Sequence, residues 1–250
     1  MKHKPVHDTR FFFATAPLPC PYLPDRVERR VVTELVGRDA SKLHDRLSLA
    51  GFRRSHNIAY APACTGCQEC LAVRIRAEEF QLSRSLRRIW NRNRGLEVKE
   101  TKPVATDEQF SIFSAYQGSR HSGGEMSRMD AMDYQALVED TPVETKLVEF
   151  SDPTLGLVGC CLMDQVENGL SAVYSFFEPS LNRRSLGTHM ILWMIYRARE
   201  LGLAHVYLGF WVAGSPKMSY KSKFHPLEAR LADGWQELSR DECENGLPSE

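Results

Sequence analysis

Cysteines at a repeating spacing are the strongest local sign of chemistry in this chain of 250 residues. Cys64, Cys67 and Cys70 form a C-x2-C-x2-C run, and Cys20 upstream is a candidate fourth ligand. One tight loop of this kind can direct several thiolates at zinc or at an iron–sulfur cluster. Reduced cysteines with a packing or redox role are the alternative, followed by a disulfide. The ferredoxin pattern is excluded, because Arg74 stands where that pattern requires another cysteine.

Arginines flank the cysteine run on both sides. Arg53 and Arg54 precede it, and Arg74 follows it. A guanidinium group binds a carboxylate through two parallel hydrogen bonds, so these three side chains are candidates for binding an acidic substrate group. Ordinary surface arginines are the alternative. Further arginines around Trp90 recur at roughly helical spacing and indicate either a phosphate-binding surface or a solvated helix face: Arg84, Arg87, Arg88, Arg92 and Arg94.

A second polar segment, residues 215–226, directly follows the last predicted strand. It supplies groups that can bind phosphate or stabilise a tetrahedral oxyanion, namely Lys217, Tyr220 and Lys221. Proton transfer at the same place is predicted for Glu178, at the end of an earlier strand, or for His225. Solvated loop side chains are the alternative for each of these groups.

The elements that position these groups differ between the two halves of the chain. Residues 1–99 carry 19 basic and 10 acidic side chains, a net charge of +9, whereas the remainder carries −9. Clustered basic side chains attract a polyanionic or acidic partner. Periodicity predicts for this half a helix near residues 41–50, a strand at Leu71–Arg76 and an arginine-rich helix near residues 83–92. We therefore predict an N-terminal domain, residues 1–99, that carries the cysteine loop and a basic face.

In residues 100–250, helical periodicity gives way to an alternation of period two. Thr106, with Gln109 three residues later, predicts the capped start of a helix, and the Asn168-Gly169 pair predicts a hairpin turn. The predicted order is two helices (106–117 and 130–139), three antiparallel strands (144–150, 156–163 and 170–177), a helix (186–201) and a final strand (206–212).

This order of elements resembles the GNAT acyltransferase fold. We therefore predict an α+β chain in which residues 100–250 form a GNAT-like catalytic domain with an acidic tail. In that family, backbone amides of the loop after the third strand hold the pyrophosphate of coenzyme A. Arg184 and Gly187 fit that loop and are expected to bind substrate, whereas His189 stands where the family has a small residue. The resemblance thus implies acyl transfer from a different acyl carrier.

Composition excludes several classes of protein. With 42% hydrophobic and 26% charged residues, the chain is typical of soluble globular proteins and not of disordered ones. A short apolar stretch at Phe11 is followed by Pro17 and Pro19, so it lacks the length of a secretory signal. No segment approaches the length of a transmembrane span. We expect a cytoplasmic protein without a membrane partner.

Motifs spread over nearly the whole chain identify it more closely. They are CPYLP from Cys20, GFRRS from Gly51, VRI from Val73, FEP from Phe177, SLG from Ser185, PKM from Pro216 and Tyr220-Lys221. Together they resemble the arginyl-tRNA-protein transferase superfamily, most closely its bacterial branch, the aspartate/glutamate leucyltransferases. The resemblance implies transfer of leucine from Leu-tRNA to proteins with N-terminal Asp or Glu, which creates an N-degron. That chemistry requires no cofactor, and zinc or an iron–sulfur cluster on the cysteines stays open.

Three rival functions also stay open on the residues alone. Arginine from Arg-tRNA could be transferred to the same N-termini, because no residue in the sequence selects leucine. A coenzyme A-dependent N-acetyltransferase is favoured by the order of elements and opposed by His189. A metal-dependent RNA-binding module without transferase activity fits the basic half and the thiols.

Overall fold

The computed structural model describes residues 10–246 of the chain. Up to residue 101 its elements are β1 (Phe13–Ala14), β2 (Leu18–Pro19), β3 (Val27–Glu28), β4 (Arg30–Glu34), α1 (Ala40–Leu49), β5 (Arg53–Ser55), β6 (Ile58–Pro62), β7 (Leu71–Arg76), α2 (Arg84–Asn93) and β8 (Glu97–Thr101). Ser83 caps α2, because its hydroxyl accepts a hydrogen bond from the amide of Leu86. The strand and the two helices predicted for this part are confirmed as β7, α1 and α2.

The second part follows the predicted order as far as the strand predicted to be the last, after which the structure has two further strands and a helix. Its elements are α3 (Asp107–Arg120), α4 (Ala131–Glu139), β9 (Thr145–Asp152), β10 (Gly156–Val166), β11 (Gly169–Phe177), α5 (Leu186–Glu200), β12 (His205–Trp211), β13 (Leu227–Leu231), β14 (Gly234–Glu237) and α6 (Arg240–Asn245). Three 3-10 segments join them, at Glu125–Arg128, Pro179–Arg184 and Ser219–Lys223. Thr106 and Gln109 form the predicted capping box of α3. None of the helices within residues 10–246 is long and apolar enough to cross a membrane.

An eight-stranded sheet organises the molecule, in the order β14-β13-β7-β12-β11-β10-β9-β8. β9, β10 and β11 are antiparallel neighbours, as predicted, and the α+β class is confirmed. β12 pairs in parallel with β11, because α5 carries the chain back across the sheet. β7 and β8 come from the first 101 residues yet pair with strands of the second part, β7 with β12 and β8 with β9.

A smaller sheet has four strands in the order β1-β4-β6-β5, and α1 packs with it. Within this sheet, β5 and β6 form a hairpin. Its own apolar core consists of Leu35, Leu43, Leu47 and Ala59. Arg53 and Arg54 lie next to each other in β5, and successive residues of a strand point to opposite sides. The hairpin therefore directs these two arginines into different surroundings.

The two faces of the large sheet have separate cores. Cys160 and Cys161, adjacent in β10, show the alternation: Cys160 packs with Phe113 and Tyr134 under α3 and α4, and Cys161 packs with Met194 of α5. Burial raises the pKa of both thiols, so they remain protonated. These two cysteines serve the core and face away from each other, as expected for neighbours in a strand.

Candidate active site

The large sheet opens into a fork between β11 and β12. The two strands pair over three residues each, ending at Ser171 and Tyr207. Directly beyond this point each strand carries a bulge, since Val173 has no partner on β10 and Leu208 has none on β7. A bulge bends its strand and increases the local twist, which accounts for the divergence. We call the space between β11 and β12 beyond Ser171 and Tyr207 the fork.

Arg53 fills the base of the fork. Its Nη2 donates a hydrogen bond to the carbonyl oxygen of Val173 at 3.2 Å and lies 3.5 Å from that of Ala172. Its stem lies so close to Gly209 that a Cβ at this position would be 2.2 Å from Nε. Gly209 also has a φ of +73°, so only glycine fits there. Unlike its neighbour Arg54, Arg53 has no carboxylate partner among the ion pairs of residues 10–246.

Lys221 contacts the backbone of β12 on the other side of the fork. Its side chain is buried, and Nζ donates a hydrogen bond to the carbonyl oxygen of Phe210. Burial, and then the charge of Arg53, lower the pKa of Lys221 well below its usual 10.5. Tyr220 precedes it and is 38% exposed, and burial of the rest of this side chain raises the pKa of its phenol. Basic side chains therefore bond to backbone carbonyls on both sides of the fork.

Glu178 and Lys217 lie at the two chain segments that leave the fork. Glu178 directly follows β11, and its Oε1 accepts a hydrogen bond from the amide of Ser180 at 3.0 Å. Lys217 is exposed in the loop after β12. Burial, and then the charges of Lys217 and Arg120, lower the pKa of His121 at the end of α3. The end of α3 and the loop with Lys217 thus approach each other at the same opening.

The other two arginines predicted to bind an acidic substrate are bound to buried carboxylates. Arg54 is 4% exposed, and its Nε and Nη2 contact Asp164 at 2.6 and 2.8 Å. Arg74 is 8% exposed, and its Nε lies 2.6 Å from Glu228. The structure does not bring either of them into the fork beside Arg53. Their guanidinium groups connect strands that are far apart in the sequence.

Arg184 and Gly187 lie where β11 leads into α5. Arg184 forms an ion pair with Asp152 at 2.8 Å, and its Nε donates to the side-chain oxygen of Asn93 at 3.0 Å. Gly187 rests against Phe177, since a Cβ there would be 3.1 Å from the ring. These contacts fix the start of α5 against α2, β9 and the end of β11.

The two histidines singled out by the sequence lie apart from the fork. Burial lowers the pKa of His225, and the charged groups that act on it are Arg240 and Glu237, so it faces α6 and β14. His189 is buried against the ring of Trp90 at 5.2 Å. Burial, and then Arg184, lower the pKa of His189 to about 4, so its imidazole is neutral and part of the core.

The four cysteines predicted as metal ligands line one cavity of about 30 Å³. Burial, and then Cys20, Cys64 and Cys67, raise the pKa of Cys70 to about 12. Within residues 10–246, no three cysteine, histidine, aspartate or glutamate side chains converge as metal ligands. As arranged, these thiols do not fit a resident metal ion, and no chemical step proposed below depends on one.

Aromatic residues that the sequence did not single out complete the fork. Tyr116 of α3 is one of the groups that raise the pKa of Tyr220. The ring of Phe210 lies 6.0 Å from the guanidinium carbon of Arg53 and also lines the cysteine cavity. Aromatic residues at such positions are equally typical of a hydrophobic core, so nothing in the sequence marks them as residues of a functional site. The sequence does mark Gly209, because a glycine inside a strand often indicates that another group approaches the backbone closely.

A groove of about 1000 Å³, much larger than the cysteine cavity, lies between α1 and the hairpin of β10 and β11. Side chains of both charges line it, among them Asp39, Lys42, Asp45, Arg46 and Glu167. None of the predicted site residues lines this groove. The fork is the better candidate, because it combines an arginine without a carboxylate partner, a buried lysine and a partly exposed phenol.

Comparison with known proteins adds independent findings. Two family profiles, described as the N terminus and the C terminus of arginine-tRNA-protein transferase, match residues 18–88 and 108–231. A protein of Paramagnetospirillum magneticum named aspartate/glutamate leucyltransferase is 52% identical, over 96% of this chain and 98% of its own length. A protein of Rhodospirillum rubrum with the same name is 50% identical, over 94% and 96%.

Likeness to solved structures is weaker. A structure described as L-PGS from Bacillus licheniformis shares 14% identity with this chain. The match covers 72% of this chain and 52% of the other, with a TM-score of 0.46. A likeness at this level carries no argument about function.

Proposed function

The chain belongs to the arginine-tRNA-protein transferase family, and from this membership we infer that it is an aminoacyltransferase that adds leucine to proteins beginning with Asp or Glu. The observation that carries the inference is 52% identity over 96% of the chain with a relative named for that reaction. The donor is Leu-tRNA, and the leucine added is an N-degron that marks the protein for degradation. We place the reaction in the cytoplasm, where charged tRNA is available.

The reaction joins an amine to an ester that is already activated. The N-terminal amine attacks the ester carbonyl carbon, a C–N bond forms, and the C–O bond to the terminal ribose of the tRNA breaks. The proton lost by the amine passes to the departing ribose oxygen. An N-terminal amine with a pKa of about 7.7–8.0 is partly neutral near pH 7. Positioning and stabilisation of the tetrahedral oxyanion therefore supply most of the acceleration.

Arg53 is the residue to which we assign the acidic side chain of the acceptor protein. Its guanidinium group is held at the base of the fork by the Val173 carbonyl and the surface of Gly209. It keeps its positive charge, and no ion pair within residues 10–246 neutralises it. Arg54 and Arg74 are left out of this role, because Asp164 and Glu228 already occupy them.

Tyr220 is the group to which we assign the developing oxyanion, because its residue is 38% exposed and the charge of Arg53 acts on its phenol. Lys221 acts through the Phe210 carbonyl and holds Tyr220 in place, so it is a positioning residue. We assign the transient proton to Glu178, whose Oε1 is used by Ser180 and whose second oxygen is available. Lys217, exposed at the opening, is assigned to a phosphate of the donor, and His225 has no part in these steps.

We also propose that the second part of the chain is a GNAT-like domain. Its order of three antiparallel strands, α5 and a parallel strand matches that architecture, and the fork opens where α5 brings β12 beside β11. Arg184 and Gly187 hold the start of α5 at this opening, where the aminoacyl end of the donor lies. The extra strands β7 and β8 come from the preceding part of the chain.

A single experiment tests the reaction and both specificities. Purified protein is given radiolabelled Leu-tRNA or Arg-tRNA together with peptides that begin with Asp, Glu, Lys or Ala. We expect label only from Leu-tRNA and only on the Asp and Glu peptides. Label from Arg-tRNA would overturn the leucine assignment. Absence of transfer from both tRNAs, together with tight binding of acetyl-coenzyme A, would replace the proposal by an N-acetyltransferase.

A further inference from the structure

Ion pairs within the structure neutralise much of the positive charge of the first 99 residues. Arg30 pairs with Glu28, Arg54 with Asp164, Arg74 with Glu228, and Arg76 with Glu79, Glu228 and Glu237. Each of these arginines has a partner of opposite charge within hydrogen-bond range. The basic excess available to a partner molecule therefore lies elsewhere in this part of the chain.

α2 carries the densest group of the remaining basic side chains. Its sequence, RSLRRIWNRN, contains no acidic residue. Its exposed arginines and the one directly after it form no ion pair among residues 10–246, and they are Arg84, Arg87, Arg88, Arg92 and Arg94. We call these five side chains the α2 arginine face.

Apart from the hydrogen bond of Arg92 to the carbonyl oxygen of Arg183, the α2 arginine face makes no ion pair that stabilises the fold within residues 10–246. Arg84 and Arg88, and Arg88 and Arg92, stand four residues apart, and like charges at that spacing destabilise a helix by about 0.2–0.5 kcal/mol per pair. The helix is held instead by its other side, where Leu86 and Asn93 are buried. An array of like charges that weakens its own helix points to an anionic partner.

α2 is fixed beside the mouth of the fork. Arg92 donates a hydrogen bond to the carbonyl oxygen of Arg183, and the side-chain nitrogen of Asn93 donates to that of Arg184 at 2.9 Å. The segment Pro179–Arg184, which holds both carbonyls, begins two residues after β11 ends at Phe177. The α2 arginine face is thus continuous with the exposed side chain of Arg183 and leads towards Glu178.

Nucleic acid matches this array in charge density. From Arg84 to Arg92 the helix rises about 12 Å, at about 1.5 Å per residue. One strand of a DNA duplex carries about one negative charge per 3.4 Å of its axis, or about three to four over that length, against four arginines on α2. Arginine also binds phosphate through two parallel hydrogen bonds.

We propose that the α2 arginine face binds the phosphate backbone of the acceptor stem of the tRNA donor, so that the esterified 3′ end reaches the fork. This inference rests on the proposed function, which requires a tRNA donor. It adds to that function the surface that recognises the donor. Because the contacts are to phosphates, this surface supplies affinity that does not depend on the sequence of the stem.

The test compares two triple variants that remove the same charge. One is Arg84→Ala, Arg87→Ala, Arg88→Ala, and the control is Arg38→Ala, Arg46→Ala, Arg128→Ala, three exposed arginines on other segments. Binding of uncharged tRNA is measured between about 50 and 200 mM salt. We expect the α2 variant to bind on the order of 30-fold more weakly. The slope of the logarithm of the association constant against the logarithm of the salt concentration is negative, and it should become shallower by about two to three units. The control should match the wild type.

Kinetics then separate this surface from the reaction itself. In the α2 variant the KM for Leu-tRNA should rise, while the kcat at saturating tRNA and the KM for an Asp-starting peptide should not change. Unchanged tRNA affinity and salt slope would overturn the proposal, as would an equal loss in the control variant. A rise in the peptide KM alone would assign the face to acidic protein instead. If the wild type transfers no leucine but tRNA binding still depends on the α2 arginines, the proposed function fails and the surface stands.

Discussion

Arg53 and Arg54 are neighbours in β5, yet they belong to two regions with opposite properties. Arg54 lies in a closed polar cluster, where Asp164 is fully buried and also accepts a hydrogen bond from Thr145 at 2.7 Å. Arg53 lies in the fork, where its partners are backbone carbonyls and the flat surface of Gly209. One guanidinium group is neutralised and the other is not.

The difference shows how one strand serves two purposes. In the Asp164 cluster, both carboxylate oxygens accept hydrogen bonds from Arg54. These bonds connect the β5 hairpin to β10 and leave no site for a ligand. In the fork, Arg53 and Lys221 bond to carbonyls of diverging strands, and the positive charge of Arg53 has no carboxylate partner within residues 10–246. A completely satisfied polar cluster stabilises the fold, whereas incompletely paired charge is available for binding.

Removal of Arg54 should have the largest effect. In Arg54→Ala, Asp164 stays buried without its cation, and we expect the free energy of unfolding to fall by about 3–5 kcal/mol, measured by urea denaturation. The double variant Arg54→Met, Asp164→Leu is the control, because it removes both charges and should recover most of the loss. A loss below about 1 kcal/mol in the single variant would show that Thr145 and His44, whose Nε2 lies 3.7 Å from Asp164, can hold the buried carboxylate.

Tyr220→Phe tests the fork for activity without altering the fold. We expect kcat to fall by about 100- to 1000-fold, equivalent to about 2.7–4 kcal/mol, because one oxyanion donor is removed. Stability should change by less than about 0.5 kcal/mol, since the phenol is partly exposed. Tyr196→Phe, a tyrosine of α5 that packs on Trp90, is the matched control and should keep its kcat. An unchanged kcat in Tyr220→Phe would remove this residue from the mechanism.

Arg53→Met sharpens the comparison within β5 itself. It keeps an unbranched, flexible stem and removes the charge, so the KM for Asp-starting peptides should rise by about 10- to 100-fold, or about 1.4–2.7 kcal/mol. Arg53→Lys should recover only part of the affinity, because an ammonium group cannot bind a carboxylate through two parallel bonds. Equal KM values for wild type and Arg53→Met would transfer acceptor recognition to another group.

Lys221→Met should have the smallest effect. That effect is a change in how the free energy of unfolding depends on pH. The pKa of Lys221 is lower in the folded chain than in the unfolded one, so between these two values the unfolded chain binds more protons. The free energy of unfolding of the wild type should therefore rise with pH through that window, by up to about 1.4 kcal/mol per pH unit. Denaturation of wild type and Lys221→Met from neutral to alkaline pH measures the difference. Parallel curves would contradict the buried position of the amine.

The candidate site was predictable in part from residue types and order. Arg53, Tyr220 and Lys221 were singled out by motif, and the structure brings all three to the fork. His225 was singled out in the same way and faces α6. The difference arises because a motif names residues that are close in sequence, while the side on which each side chain lies depends on how the 3-10 segment Ser219–Lys223 packs.

The sequence by itself determined the local elements and the family. Caps, the hairpin turn and the two periodicities depend on contacts between residues a few positions apart, so the capping box of α3 and the antiparallel strands β9 to β11 could be read directly. The motifs that resemble the transferase family needed no structure either.

Only the tertiary structure decided what each side faces. Asp164 and Glu228, the partners of Arg54 and Arg74, lie 110 and 154 residues away along the chain. The pairing of β7 with β12, and the bulges that open the fork, likewise depend on which strands become neighbours in the sheet. Such pairings are set by burial and hydrogen bonding across the whole chain, and local periodicity carries no information about them. The same residue type therefore became a structural support at Arg54 and the proposed binding group at Arg53.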